Sequence, residues 1–105
     1  MNDLESPRDT VGPVLQATPL GRAIVAAIES SNDDVDIQDE GAYLRVIAYG
    51  SCRLTRAAVE AEFGQPIRLP GDLEVIMSSF AGLVSVNENG AVWWRAPDPY
   101  PGLSS

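Results

Sequence analysis

Histidine and lysine do not occur in this chain, and cysteine occurs once. With Cys52 as the only thiolate and no imidazole, zinc, iron–sulfur and haem sites of the usual ligand sets cannot be built within the chain. A Ser–His or Cys–His nucleophile pair is equally impossible. A lone cysteine closes no internal disulfide, so a reducing cytoplasm is the expected compartment. No apolar run approaches the ~18 residues of a membrane span. The opening Met-Asn-Asp-Leu-Glu-Ser-Pro-Arg lacks the basic start and apolar centre of a signal peptide. Glycine-rich phosphate loops of either common pattern are missing. All seven bases are arginine, and they face fifteen acids for a formal charge of −8. With no basic cluster to displace counterions, nucleic acid and anionic membranes are poor partners. A partner with a basic docking surface would be attracted, at a rate that falls with salt.

What remains is a chain of 105 residues, 45% apolar, enough for one globular domain despite its charge. A chain of this size buries roughly two thirds of its unfolded surface and needs no covalent staple. Catalysis by this polypeptide alone would rest on carboxylates, arginine or tyrosine.

Residues 1–10 are polar and predict a flexible arm. Val11-Gly12-Pro13-Val14-Leu15 predicts an edge strand or an extended surface segment, because Pro13 has no N–H to give to a ladder. Thr18-Pro19 predicts a helix start, followed by an apolar stripe of Leu20, Ile24, Ala27 and Ile28. Asp33 and Asp34 past its end oppose the helix dipole and predict fraying there. Val35–Ile37 reads as a short strand. Residues 42–50 give the clearest strand, Leu44, Val46 and Ala48 alternating with Tyr43, Arg45, Ile47 and Tyr49. Thr55 caps a second helix, with Ala58, Val59 and Phe63 inward, and Gly64 closes it.

The stretch 73–86 then reads as two strands joined by an aromatic bend. Leu73, Val75 and Met77 fall on one face, the chain loosens at Ser78-Ser79, and Phe80 leads into Ala81-Gly82. Asn87–Gly90 is a hairpin turn and 91–95 the return strand. The tail, 96–105, carries three prolines and is expected to be extended. The order is β-α-β-β-α-β-β, an α+β domain with two helices on antiparallel sheet, spanning residues 11–95.

Few residues suggest chemistry. Asp33, Asp34, Asp36, Asp39 and Glu40 lack the ordered spacing and central glycine of a calcium loop and read as a solvated acidic rim. Glu60 and Glu62 sit two apart on a helix and point different ways. Cys52 beside Arg53 could be an activated thiol, but a buried structural cysteine is the commoner case. Trp93 and Trp94 fall on opposite faces of their strand, one for the core. Phe80 is either a core plug or part of a partner surface, and the pattern does not decide between them.

Several segments together resemble the small cofactor-free effector proteins of bacterial multicomponent di-iron monooxygenases, in the toluene and alkene monooxygenase branch. They are Val11-Gly12-Pro13-Val14, Ala42-Tyr43-Leu44-Arg45-Val46, Leu54-Thr55-Arg56, Phe63-Gly64-Gln65-Pro66, and Leu73-Glu74 through Ser79-Phe80-Ala81-Gly82. They occur in family order over residues 11–94. The Pro-rich tail and Trp93-Trp94 depart from the pattern. The resemblance implies the monooxygenase regulatory-protein fold, no catalytic residue, no cofactor and no metal of the chain's own. It also implies a di-iron hydroxylase as partner, on a face that a ferredoxin or reductase may compete for, and a free chain that is monomeric. The docking face it implies is formed by Val11, Gly12, Pro13, Val14, Ser78, Ser79, Phe80, Ala81 and Gly82. A small-molecule sensor built of two β-α-β-β halves is the rival reading from another class, and an acidic mimic of nucleic acid a third.

Overall fold

Two threonines set the helices. In the computed structural model, which describes residues 10–95, the Thr18 hydroxyl accepts the Gly21 N–H at 3.0 Å and opens α1 (Pro19–Ser31). Thr55 accepts the Ala58 N–H at 3.2 Å and opens α2 (Arg56–Phe63). In both, the cap oxygen takes one of the N–H groups that a helix start leaves unpaired. Helix α1 buries Gly21, Ala23, Ile24, Val25, Ala27 and Ile28, and of the stripe that the sequence spacing predicts Leu20 alone stays half-buried.

The far end of α1 does not depend on its flanking charges. Asn32 holds it. Its side-chain amide donates to the Ile28 carbonyl at 2.8 Å and to the Arg53 carbonyl at 2.9 Å, while its oxygen accepts the Arg53 N–H at 2.9 Å. The amide therefore pairs with Arg53 as a neighbouring peptide would, and it clips the helix to the strand that carries Arg53. With three bonds lost at once, Asn32→Ala should cost about 2 kcal/mol in urea unfolding. A loss within ~0.5 kcal/mol of zero would show that water replaces the clip without penalty.

The strands form two antiparallel sheets. The first joins β1 (Thr10–Gln16), β2 (Val35–Asp39), β3 (Tyr43–Tyr49) and β5 (Met77–Ala81), in the order β2-β3-β1-β5. The second joins β4 (Ser51–Thr55), β6 (Leu83–Asn87) and β7 (Gly90–Trp94), in the order β4-β7-β6. The chain passes from one sheet to the other at Gly50 and again at Gly82. At Gly82 the crossing is tight: φ is +90°, and a Cβ there would lie 2.5 Å from the Trp94 carbonyl oxygen and 2.7 Å from a Val11 methyl. Only glycine fits that corner. Between the sheets and under α1 lies one core, with Leu15, Ile24, Ile28, Cys52, Val59, Leu73 and Trp93 essentially removed from water.

Two expectations fail. The residues read as a strand from Leu73 form α3 (Gly71–Ile76), and β5 begins only at Met77. Leu73 and Ile76, three apart, are the buried pair, while Val75 is 76% exposed. The helix is set by its approach: the Asp72 carboxylate accepts the Arg68 N–H at 2.8 Å, and Pro70 offers its carbonyl to Leu73 and Glu74. Asp72 and Glu74 in the first turn also suit the positive end of the dipole.

The second failure is β1, which is an interior strand, not an edge. It tolerates Pro13 because its ladder with β3 pairs Thr10 with Tyr49 and Val11 with Ala48, then skips to Val14 with Arg45. The missing N–H of Pro13 falls in that gap. The full order is therefore β-α-β-β-β-α-α-β-β-β, α+β with antiparallel sheets as expected; the unit β1-α1-β2-β3, ordered β2-β3-β1, is matched by β4-α2-β6-β7, ordered β6-β7-β4, with α3 and β5 inserted in the second. The arm expected over 1–10 and the tail expected over 96–105 lie outside the described residues, save Thr10, which opens β1.

Candidate docking surface

Only one side chain could serve as a strong nucleophile, and it is sealed. Cys52 is fully buried opposite Trp93, and desolvation pushes its thiol up to about 12 from 9.0. The neutral thiol stabilises the folded chain fully below pH 9, and this contribution is lost as pH climbs from 9 toward 12. The folded protein should therefore resist alkylation by iodoacetamide at pH 8 and react once unfolded in urea; prompt labelling of the folded chain would contradict the burial. Among the described residues, no group of three His, Cys, Asp or Glu side chains is placed to hold a metal ion. The acidic rim is solvent-exposed. In it the Gly41 N–H, donated at 2.9 Å, lowers the pKa of Asp39, with Arg22 at 3.5 Å adding to the effect.

The nine residues of the expected docking face separate into two groups. Val11, Gly12, Pro13 and Val14 are all buried in β1. Ser78, Ser79, Phe80, Ala81 and Gly82 are all exposed, on the edge strand β5 and the corner that follows it. The two groups are nonetheless neighbours. Gly12 pairs with Ala81, Pro13 with Phe80 and Val14 with Ser79, so the buried segment is the neighbouring strand to which the exposed one is laddered. Between Ser79 and Met77 the register shifts, and Ser78 is the extra residue of a bulge. Its hydroxyl donates to the Val14 carbonyl at 3.3 Å.

Phe80 leaves 45% of its surface in water and does not belong to the core cluster. Leu83, just past Gly82, is 42% exposed. Because β5 and β6 each end their sheet, the run from Ser78 to Leu83 presents unpaired backbone as well as these two apolar side chains. Trp93 is the core tryptophan, its indole N–H without a partner, and Trp94 is half-buried on the other face of β7.

A further surface escapes the sequence reading. On β3 the exposed phase is Tyr43, Arg45 and Tyr49, with Ile47 half-buried. Cross-strand partners point to the same side, so Val14 on β1 and Gln38 on β2 share the face of Arg45. Ser79 and Ala81 of β5 extend it. This side of the first sheet carries a shallow groove of about 540 Å³ lined by Gly12, Val14, Gln38, Arg45, Ser79 and Ala81. The available signal was an aromatic–arginine alternation in a strand whose other phase is wholly apolar.

The model of the MmoB/DmpM family matches residues 9–94. The effector subunit of the alkene monooxygenase system of Xanthobacter autotrophicus strain Py2 is 35% identical over 86 residues, covering 80% of this chain and 84% of that protein. Among solved structures, a chain of the phenol hydroxylase–regulatory protein complex superposes with a TM-score of 0.71 at 20% identity, covering 81% of this chain and 95% of the other. Regulatory protein B of soluble methane monooxygenase gives 0.70 at 19% identity, covering 92% and 73%. At these identities the two structures speak for the fold.

Proposed function

The chain belongs to the MmoB/DmpM family, and on that premise we propose that it is the effector subunit of a multicomponent di-iron monooxygenase. It is a regulatory component with no catalytic role of its own. The observation that carries this reading is the family match across residues 9–94, nearly the whole of the described domain. The Xanthobacter relative serves an alkene monooxygenase system, so an alkene-oxidising hydroxylase is the first partner to test.

The physical role follows from what the chain lacks. Bringing no cofactor and no nucleophile, an effector acts by binding the active conformation of the hydroxylase better than the resting one, and so shifts the population toward it. A tenfold preference is worth about 1.4 kcal/mol. On this reading Ser78–Gly82 touch the hydroxylase and Val11–Val14, in the adjacent strand, fix their position through the ladder. The same face would then compete with a ferredoxin or reductase for the hydroxylase. The cytoplasm is the compartment, and the free chain is a monomer. No helix among the described residues is long and apolar enough to cross a membrane.

The formal charge of −8 gives the binding a kinetic signature. Stopped-flow association with such a hydroxylase should slow roughly tenfold or more between low and physiological salt, because acids on the rim steer the encounter. Absence of any complex in calorimetry at concentrations near 100 times a micromolar Kd would overturn the assignment.

A further inference from the structure

Resting on the effector reading, we infer that the open face of the four-stranded sheet is part of the hydroxylase interface. It takes an amphipathic helix of the hydroxylase that presents an aspartate or glutamate to Arg45. Four observations converge on this.

The first is the state of Arg45. Arg22 and Arg56 are paired with Asp39 and Glu60, whereas the exposed Arg45 guanidinium, like those of Arg53 and Arg68 elsewhere on the surface, has no ion pair or hydrogen bond among the described residues. The second is its company. Tyr43 and Tyr49, 41% and 50% exposed, stand on the same face of the same strand. Tyrosine and arginine are the residues over-represented where interfaces concentrate their binding energy, and a half-exposed tyrosine offers a large apolar area at low entropic cost.

The third is shape. Four strands about 4.8 Å apart span a face about 14 Å wide, and the shallow groove lies on it. An α-helix is about 10 Å across and packs on such a surface. The fourth is continuity and charge. Ser79 and Ala81 line both this groove and the exposed run 78–83, so the two surfaces are one. Within the face Arg45 is the only cation and Asp36, opposite Ile47 on the outer strand, an exposed acid, while Asp33, Asp34 and Glu40 lie at its margin as further exposed acids. The complementary helix therefore carries a carboxylate in the middle of its apolar stripe and basic residues beyond it.

The test compares affinity and product yield for the purified hydroxylase with the full chain and its variants. Arg45→Glu should weaken binding about thirtyfold or more and Tyr49→Ala about tenfold. Val75→Ser, on the exposed side of α3, should leave both readouts at the wild-type value. Arg45→Gln removes the charge without reversing it and should lose about fivefold; it keeps the test decisive if the reversal fails to fold. Should the wild type bind and couple while the Arg45 and Tyr49 variants match it, the face is not an interface and the effector reading stands without it. A wild type that does not bind overturns both. A wild-type dimer in sedimentation that Arg45→Glu dissolves, with hydroxylase affinity unchanged, would assign the face to a second copy and overturn the inference.

Discussion

Phe80→Ala should weaken hydroxylase binding about thirtyfold, a loss near 2 kcal/mol, and lower turnover at sub-saturating effector, while the free domain stays folded. The two halves of this result come from different parts of the structure. Phe80 stands on an edge strand, 45% exposed and outside the core cluster, so truncation removes little buried surface. The stability cost should stay near ~1 kcal/mol, against the roughly 3–5 kcal/mol of a core Phe→Ala. Pro13 lies opposite Phe80 in the β1–β5 ladder and the glycine-only corner at Gly82 ends the strand, so the ring stands on fixed backbone where a partner can reach it. Denaturation and binding measured on one sample separate the two. An unfolded variant would return Phe80 to the core, and a stable variant with unchanged affinity would remove it from the interface.

Gly12→Ala should destabilise the chain by about 3 kcal/mol or more, a large share of the stability of a domain that totals on the order of 5–15 kcal/mol. Gly12 has φ of +141°, and a Cβ there would lie 2.5 Å from the Val46 carbonyl oxygen and 3.1 Å from its carbon. Both atoms are backbone of β3, so relief requires moving the central strand pair of the first sheet. The gap in the ladder that accommodates Pro13 falls at the same place. Strain and loss of pairing therefore act on one point. Urea unfolding of Gly12→Ala measures the cost, and a midpoint within error of wild type would show that β1 and β3 can separate there freely.

The parts of this fold that could be read from sequence are those fixed by local chemistry. Thr18-Pro19, Thr55 and Gly64 mark helix ends because caps act over three or four residues. The alternation through Tyr43–Tyr49 marks a strand because each residue reports its own face. The hairpin at Asn87–Gly90 needs only its turn. Helix α3 was hidden because Leu73, Val75 and Met77 satisfy a period of two by chance over six residues. The pair that is buried, Leu73 and Ile76, is too short a pattern to compete. The interior position of β1 was hidden because a proline normally excludes it, and the gap that admits Pro13 depends on register with β3, some thirty residues away.

The candidate docking surface was legible only in part. Ser78–Gly82 stands out in sequence by its odd composition, and the structure puts it on the surface. Val11–Val14 resembles the family pattern, but it is buried because the neighbouring strands claim both of its edges. Tyr43, Arg45 and Tyr49 look like the ordinary exposed phase of a strand. Periodicity says which side of a sheet a residue occupies and is silent on whether that side meets water or a protein.

The effector assignment is tested most directly by reconstituting an alkene-oxidising di-iron hydroxylase with its reductase chain and measuring product formed per NADH consumed as this protein is titrated in. The account predicts that the ratio rises with added protein and saturates near one effector per hydroxylase active site. A ratio that stays flat through saturation, with the protein demonstrably folded, would contradict it.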